Sequence, residues 1–480
     1  MTVESRLDFR SAPPRGLPAQ RIDAAGVAHV DFSAVLALAL PLIANSAVQV
    51  VLNLTDVWFI GRISMQALAA VGAVQWLVLV FVILLGGIAM AVQPRVAQAF
   101  GGGRYVRASQ ATWTALWGIL FAAPLFLAVG ASGRWLLAPF GFSAPIVDLA
   151  SSFWLPRLGG APFGMALWAV LSFFNGIGRS RITALISAIT ALANVPLNAI
   201  FIFTLGWGIT GSGLATTVAQ GIGLAVALTI FMRRDFRRRY RTQLTWRPHA
   251  HRIWGQLKLG FPTGLMPAAD LLGAALFQMM QVRLSTVDGA TTQIVMMLTS
   301  IAYLPGFGIA LAGTTLVGQS IGAGDRAWAR RIGTRVIMIA AFYMGGAGVL
   351  IALGGPWLLP VFVSTQDVQA GPILLLGTHI LWLAAAYQFF DGLNLGSALC
   401  LRGAGDVAVP AAIVLGLCWL VFLPVAHALT FAPGQGWFGF LPQEGWGAVG
   451  GWTAMVLYVL LLGTILFVRW RSAAWEAIRI

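Results

Sequence analysis

Long apolar stretches constrain this chain more than any other feature. About twelve of them reach the roughly 20 residues that an α-helix needs to cross a bilayer. Strands of a membrane barrel would alternate polar and apolar residues, and these stretches are apolar on nearly every face. Charged residues make up only 9% of the sequence, against about 25% in soluble domains. The sequence therefore predicts an all-α integral membrane protein.

The predicted transmembrane helices are bounded by the ends of the apolar stretches. They cover residues 33–60, 67–93, 109–130, 145–175, 181–204, 210–232, 255–284, 290–317, 332–354, 371–401, 407–431 and 446–469.

The basic residues predict how these helices are oriented. The chain carries 30 Lys and Arg and 15 Asp and Glu, a net charge of +15. All but four basic residues fall in the N-terminal tail, in the even-numbered connections with the helix ends that border them, or at the C-terminus; the exceptions are Arg62, Arg134, Arg157 and Arg283. Because basic loops stay in the cytoplasm, we expect both termini there, in a multi-pass protein of the cell inner (plasma) membrane. The charge then reflects topology, and no nucleic-acid partner is expected.

Residues of the first half recur in the second half at a constant offset. Five pairs differ by 221 positions: Pro41 and Pro262, Gly87 and Gly308, Gln98 and Gln319, Gly101 and Gly322, and Gly103 and Gly324. Six spans in each half give the halves the same orientation, so they should be related by an axis along the membrane normal. The repeat predicts two six-helix lobes around a central cleft.

The repeat also predicts the domain boundaries. The expected segments are a disordered cytoplasmic tail (1–31), an N-terminal six-helix lobe (32–232), a basic cytoplasmic linker (233–254), a C-terminal six-helix lobe (255–470) and a cytoplasmic C-terminus (471–480).

Three acidic residues lie well inside predicted spans: Asp56, Asp270 and Asp391. A carboxylate at that depth is costly unless it faces a cavity, pairs with a cation or takes up a proton. Helical spacing places Tyr387 and Asn394 on the same face as Asp391. We therefore predict a cation-coupling site formed by Asp56, Asp270, Tyr387 and Asp391.

Further polar residues accompany these acids along their helices. Asn45, Gln49 and Asn53 form a stripe that leads to Asp56; Asn194 and Asn198 flank Pro196; Gln281 shares a face with Asp270; and Asn394 follows Asp391. We predict that they line a polar cleft. The alternatives are hydrogen bonds that join neighbouring helices and, for Asp56, an ion pair with Arg62.

Two ions fit such a site. A buried carboxyl group can carry a proton near neutral pH, whereas two carboxylates with a tyrosine hydroxyl and carbonyl groups could hold a small cation such as sodium. The residues leave this choice open. No cofactor is expected, and no metal beyond a transient sodium ion.

Enzymatic chemistry finds no support in the motifs. Walker A and HExxH sequences are absent, and the one GxSxG match, at 318–322, follows a predicted apolar helix instead of the strand that a nucleophile elbow requires. The two Gly-x-Gly-Asp sequences, at 322–325 and 403–406, fall in predicted cytoplasmic loops, where glycine turns the chain and aspartate caps the next helix. We expect a protein that is not an enzyme.

Aromatic and Met residues of the cleft could hold the apolar body of a substrate. The candidates for this substrate wall are Trp76, Phe277, Met279, Met280, Met296, Met297 and Tyr303. The alternative for each is packing between helices or contact with lipid.

Several motifs together resemble one known family. They are Pro41, Thr55-Asp56, Gln98 to Gly101, Asn194 to Asn198, Gly318 to Gly322, Tyr387 to Asp391, and Leu401 to Gly403. This set is similar to that of the multidrug and toxic compound extrusion (MATE) family, in its NorM-like branch, over roughly residues 31–471. The resemblance implies a monomeric twelve-helix antiporter that exports small amphiphilic, often cationic compounds in exchange for sodium ions or protons.

Two positions depart from the family pattern. The resemblance implies coupling roles for Asp56, Asp270, Tyr387 and Asp391, but that branch usually has a glutamate where this chain has Asp270. Asn198 stands where another branch has an aspartate, which disfavours a site built from the first lobe alone. The alternative function within the superfamily is a flippase for lipid-linked or other amphiphilic substrates.

Overall fold

The computed structural model describes residues 16–24, 26–137, 144–363 and 369–478. Twelve of its helices are long and apolar enough to cross a membrane, which confirms the predicted class and number.

The helices of the first half are α1 Phe32–Gly61, α2 Met65–Met90 continued by Val92–Gly101, α3 Tyr105–Ala131, α4 Ala144–Gly159 continued by Ala161–Gly176, α5 Ser180–Ala199 continued by the π-helical turn Ile200–Thr204, and α6 Gly208–Phe231. Those of the second half are α7 Ala250–Leu284, α8 Thr286–Gly322, α9 Arg326–Leu353, α10 Ala370–Ala404, α11 Ala408–Leu417 continued by the π-helical turn Cys418–Phe422 and by Leu423–Thr430, and α12 Gly447–Arg471. Short helices cover Gly133–Leu137, Arg234–Tyr240, Gly355–Leu358, Leu359–Val361 and Ala474–Ala477.

Several helices extend beyond the apolar stretches that predicted them. Helix α7 begins at Ala250 instead of 255, and α8 ends at Gly322 instead of 317. Hydropathy detects only the apolar segment of a helix that lies in the hydrocarbon core, whereas the backbone hydrogen bonds of the helix continue into its polar ends. Helix α1 begins where the sequence places it, because the Asp31 carboxylate accepts hydrogen bonds from the amides of Ser33 (2.9 Å) and Ala34 (3.3 Å).

A β-hairpin occupies part of the segment that the sequence predicted to be disordered. Strands β1 (Gln20–Ile22) and β2 (Ala28–Val30) pair in antiparallel register. The Asp23 carboxylate accepts a hydrogen bond from the Val27 amide (2.9 Å) and so closes the turn, a local interaction that hydropathy does not reveal. Residues 1–15 of the predicted tail lie outside the described residues.

The chain divides into two compact units. The first contains the described residues up to Ala268 together with Thr314–Ala329; the second contains Ala269–Gly313 and the described residues from Arg330 onward. Helices α7 and α8 therefore contribute residues to both units. The lobe boundaries predicted from the repeat, 32–232 and 255–470, remain a prediction.

Within the first unit, repeat-related residues pack against each other. Gly101 lies against the backbone of Gln319, and Gly322 lies against the backbone of Gln98. A Cβ atom on either glycine would overlap the carbonyl oxygen of the opposing glutamine. We call this reciprocal arrangement the Gly–Gln crossing. It explains why both halves carry the same Gln and Gly spacing.

Polar side chains next to the crossing join α8 to α4. The Gln319 side chain donates to the carbonyl oxygen of Gly176 (2.9 Å), and the Thr315 hydroxyl donates to the carbonyl oxygen of Asn175 (3.0 Å). Thr315 also accepts a hydrogen bond from Gln93 of α2 (3.0 Å). All these groups are buried, so the motif has a packing role in the first unit.

Candidate cation sites

Asp56 lies in a cluster of neutral hydrogen-bond donors in the first unit. Its Oδ1 accepts a hydrogen bond from Asn198 of α5 (2.7 Å), and its Oδ2 accepts one from the Thr216 hydroxyl of α6 (3.0 Å). Asn198 also donates to Asn194 Oδ1 (2.8 Å), one helical turn earlier. The structure thus brings together three residues that the sequence singled out on two helices, α1 and α5.

The cation near Asp56 is Arg157 of α4, not Arg62. Arg157 interacts electrostatically with Asp56, whereas the guanidinium of Arg62 lies over the Trp58 ring, 5.0 Å from its centroid. The predicted alternative of an Asp56–Arg62 pair is therefore wrong. The sequence analysis named Arg157 only as an exception to the distribution of basic residues, because one arginine in a long apolar stretch does not reveal its partner.

One buried oxygen in this cluster has no partner. Asn198 is fully buried, and its Oδ1 accepts no hydrogen bond from any described residue. A buried acceptor without a donor is unfavourable. This oxygen can ligate a small cation, whereas the Asp56 carboxylate can bind either a proton or a small cation.

Asp270 of α7 belongs to a second cluster, which lies wholly within the second unit. Its Oδ1 accepts a hydrogen bond of 2.7 Å from the Tyr458 hydroxyl of α12. The ring of Tyr458 stacks on Phe422, with centroids 4.9 Å apart and planes at 23°, and this contact fixes the direction of the hydroxyl.

Asp391 of α10 belongs to the same cluster. It interacts electrostatically with Asp270, and Tyr303 of α8 interacts with both carboxylates. Asn394, three residues further along α10, donates a long hydrogen bond of 3.4 Å to Asp391 Oδ1. Within the described ranges, no Lys or Arg pairs with either carboxylate. We call Asp270 and Asp391 the carboxylate pair.

Tyr387 lies one helical turn before Asp391 and interacts with it electrostatically. Its ring stacks on Trp452 of α12, with centroids 6.3 Å apart and planes at 25°. Trp452 is buried and donates to the Thr292 hydroxyl (3.1 Å). The tyrosine is therefore held beside the carboxylate pair by packing.

Like charges that share a site of low dielectric repel each other, so the carboxylate pair favours the uptake of a positive charge. That charge can be a proton, a metal cation or the cationic group of an organic molecule. The surrounding tyrosine and amide groups can hydrogen-bond to the carboxylates, but they cannot neutralise them.

The other residues of the predicted polar cleft occupy varied environments. Asn45 and Gln49 are partly buried, and Asn53 is exposed. Gln281 is fully buried, and neither atom of its side-chain amide has a partner among the described residues. The predicted cleft role of these four residues remains a prediction.

The predicted substrate wall divides into two groups. Trp76, Met279, Met297 and Tyr303 are exposed, and Met296 is partly buried. Phe277 and Met280 are buried instead, and Phe277 packs against Phe422 and Trp452, each with a centroid distance of 5.7 Å. Those two occupy the core of the second unit, since helical spacing alone does not distinguish a cleft face from a packed face.

Comparison with known proteins gives the family. The sequence profile of the MatE family matches residues 41–200 and 262–427, more than half of the chain. The chain belongs to the MATE family. The two matched segments begin at Pro41 and Pro262, the first pair of the internal repeat.

Relatives and solved structures agree with this assignment. The chain is 26% identical over 423 residues to the probable multidrug resistance protein NorM of Rhizobium meliloti (strain 1021), covering 85% of this chain and 90% of the relative. It is 27% identical to the protein of the same name from Bradyrhizobium diazoefficiens, over 99% of both. A crystal structure of MATE in the bent conformation superimposes with a TM-score of 0.80 at 17% identity, covering 92% of this chain and 96% of that one.

Two residues of this MATE protein's clusters were missed by sequence reasoning. Tyr458 donates to Asp270, and Thr216 donates to Asp56. A signal for Tyr458 existed, because tyrosine is rare in the chain, with 6 residues in 480, and this one lies inside an apolar span. Thr216 gave no comparable signal, since threonine hydroxyls commonly bond to their own helix.

Replacement of Tyr458 by Phe should change the ion dependence of transport by about tenfold or more. The hydroxyl now donates to Asp270, and a hydrogen bond to a charged group contributes about 1.5–3 kcal/mol. Without this donor, a proton should bind more readily, and half-maximal transport should occur at a lower proton concentration. If sodium is the ion and the hydroxyl is one of its ligands, half-maximal transport should need more sodium.

Transport rates measured against proton and sodium concentration give the direction of this shift. Tyr343→Phe is the matched control, because Tyr343 lies on α9 and is exposed. An unchanged ion dependence in Tyr458→Phe would exclude this hydroxyl from the coupling site.

Proposed function

We propose that this chain is a secondary active antiporter that exports small amphiphilic, often cationic organic compounds in exchange for sodium ions or protons. The carboxylate pair is the observation that supports this proposal most. Asp270 and Asp391 lie together in the second unit without a basic side chain as partner among the described residues. Membership of the MATE family supports a transporter rather than an enzyme.

Exchange follows from competition for the same negative charge. When the carboxylate pair holds a proton or a sodium ion, its attraction for a cationic substrate falls. When the substrate binds, the ion is released. Each binding event thus excludes the other, which is the requirement for antiport. The Asp56 cluster is a second place where the same ion can bind.

The driving force is adequate for export. A membrane potential of 100 mV contributes about 2.3 kcal/mol for each charge that moves inward. A tenfold concentration ratio corresponds to about 1.4 kcal/mol. One inward cation per cycle therefore supports more than a tenfold accumulation of a neutral substrate outside the cell, and a cationic substrate needs a further inward charge.

The expected setting is the cell inner membrane, with both termini in the cytoplasm. The distribution of basic residues supports this orientation. We also propose that the protein functions as a monomer and without a cofactor.

Transport by the purified chain in liposomes tests the proposal. Export of a fluorescent cationic dye is measured with an imposed sodium gradient and, separately, with an imposed proton gradient at zero membrane potential. We expect one of the two gradients to drive dye movement against its concentration gradient. If neither gradient drives dye movement, and the protein moves lipid between the leaflets, the flippase alternative is favoured.

A further inference from the structure

A long connection joins α11 to α12 in the second unit. It covers residues 431–446, all of them described, and contains no helix or strand, whereas its counterpart between α5 and α6 covers only 205–207. Loops longer than about 12–15 residues without secondary structure are uncommon, and those that are held in place usually have a function. We call residues 431–446 the α11–α12 loop.

His427 of α11 anchors the middle of this loop. Its Nε2 accepts hydrogen bonds from the backbone amides of Trp437 (2.9 Å) and Phe438 (3.2 Å). His427 is 1% exposed, and its ring packs against Phe431 and Phe438, with centroids 5.0 and 5.8 Å away. A Cβ atom on Gly436 would lie only 2.6 Å from Nε2. The loop is thus folded tightly over one imidazole.

The rest of the loop is held by other contacts. Arg283 at the end of α7 donates through Nε to the carbonyl oxygen of Gln435 (3.0 Å). The backbone amides of residues 444–446 donate to carbonyl oxygens at the end of α11 and the start of the loop, at 2.8–2.9 Å. These last bonds join backbone groups that do not titrate. Only the middle of the loop therefore depends on His427.

The two bonds to His427 require a neutral imidazole. A nitrogen that accepts a hydrogen bond carries no proton, so the proton of the neutral ring is on Nδ1. A second proton would bind to Nε2, where it would face two N–H donors instead of an acceptor. The loop would then lose both bonds. The charged ring would also be repelled by Arg283, which interacts with it electrostatically.

Arg283 is the charged group that faces this imidazole. Helix α11 itself carries no charged residue, and no carboxylate of the described residues acts on His427. A proton on this ring is therefore not stabilised by an ion pair. The other charged or titratable groups of the loop, of the start of α8 and of α12 are Glu444, which is exposed, Asp288, which bonds to Ser285, Tyr458, which bonds to Asp270, and Arg469 and Arg471 in the last turn of α12.

Three buried residues beside these anchors have side-chain atoms without a partner among the described residues. They are His427 with Nδ1, Thr430 with its hydroxyl, and Gln281 with both atoms of its amide. A Cβ atom on Gly451 would lie 2.2 Å from Gln281 Nε2 and 2.7 Å from the Thr430 hydroxyl, so these two groups lie near the same point. Buried polar atoms without partners are unfavourable. Hydration of these groups would therefore favour a lifted loop.

We propose that the α11–α12 loop is an acid-sensitive lid on the second unit. The neutral His427 holds the lid closed through two backbone amides, and uptake of a proton by Nε2 releases the middle of the lid. In the orientation proposed above, this loop faces the outside of the inner membrane, so a fall in external pH opens the lid. The device is separate from the carboxylate pair and does not depend on which ion drives transport.

Spin-label spectroscopy on the purified full-length chain tests this proposal. The nitroxide is attached to Phe440→Cys, because Phe440 is 82% exposed and lies in the loop, whereas the two native cysteines are buried. An unperturbed histidine titrates near pH 6.5, so we compare spectra from pH 8 to pH 5. We expect an immobile label at pH 8 and a mobile one at pH 5. The ratio of open to closed lid should rise by up to about tenfold for each pH unit, since one proton is taken up.

Replacement of His427 by Gln separates the hydrogen bonds from the titration. The amide oxygen of glutamine lies about where Nε2 lies and accepts hydrogen bonds, but it takes up no proton in this range. The label in His427→Gln should therefore stay immobile from pH 8 to pH 5, and the label in His427→Ala should be mobile throughout. His379→Gln is the matched control, because His379 is exposed on α10 in the same unit, and this variant should keep the pH response.

Amide hydrogen exchange of the parent chain tests the lid without any substitution. Peptides that contain Trp437 and Phe438 should lose at least tenfold in protection between pH 8 and pH 5, relative to the exchange of an unstructured peptide at the same pH. Peptides from α12 should keep their protection.

Three results would overturn the proposal. The first is an immobile label with unchanged protection of the loop at pH 5. The second is a pH response that persists in His427→Gln at the thermal unfolding temperature of the parent, since another group would then be the switch. The third is loss of the response in His379→Gln.

Discussion

Replacement of Asp391 by Asn is expected to reduce ion-driven dye export to the rate of empty liposomes. The substitution keeps the size of the side chain and its ability to hydrogen-bond to Asn394, but it removes one charge of the carboxylate pair. With a single remaining carboxylate, the site no longer favours a proton or sodium ion over the substrate. Export in liposomes under each imposed gradient measures this loss.

Asp270→Asn should have the same effect, and the double variant should be no worse than either single one, because the carboxylates act as a unit. The matched control is Asp288→Asn. Asp288 lies at the start of α8 in the same unit and bonds to the Ser285 hydroxyl (2.7 Å). Normal export by Asp391→Asn, at normal protein yield, would show that the coupling site lies elsewhere.

Replacement of Gly101 or Gly322 by Val should prevent the first unit from folding. At the Gly–Gln crossing, the added side chain would meet the backbone of Gln319 or Gln98. Backbone atoms cannot move aside as a flexible side chain can, so we expect a cost of about 3 kcal/mol or more. The yield of monodisperse protein and its thermal unfolding temperature measure this cost.

Gly72→Ala is the control for the crossing. Gly72 lies on α2 in the same unit, and an added Cβ there would meet nothing within 4 Å. Alanine favours the helix by about 1 kcal/mol relative to glycine, so this variant should be as stable as the parent or slightly more stable. Full stability of Gly322→Val would show that α8 can shift relative to Gln98.

The sequence was sufficient to predict the helices and the acidic residues. Hydropathy identifies a transmembrane helix because crossing a bilayer takes about 20 consecutive apolar residues. An acidic residue inside such a stretch is conspicuous. Asp56, Asp270 and Asp391 were found in this way. Asn198 and Asn394, which donate to two of these acids, were also named. The partners Tyr458 and Arg157 were not recognised, because they come from helices that are distant in sequence.

The direction in which side chains point was harder to predict. Phe277 and Met280 are apolar residues near Asp270, and nothing in their spacing distinguishes a cleft wall from the packed core in which they lie. The hairpin at Gln20–Ile22 and Ala28–Val30 was missed because strands of three residues are too short to show an alternation of apolar and polar residues.

The Gly–Gln crossing also says something about how the chain arose. Gly101 contacts Gln319 while Gly322 contacts Gln98. The two glycines stand at equivalent positions of the two repeats, and so do the two glutamines. Such reciprocity is the signature of an isologous interface, in which two identical subunits meet through the same patch. A half-length ancestor that paired with a second copy of itself would make this contact twice. The present chain carries both copies of that dimer contact within one polypeptide.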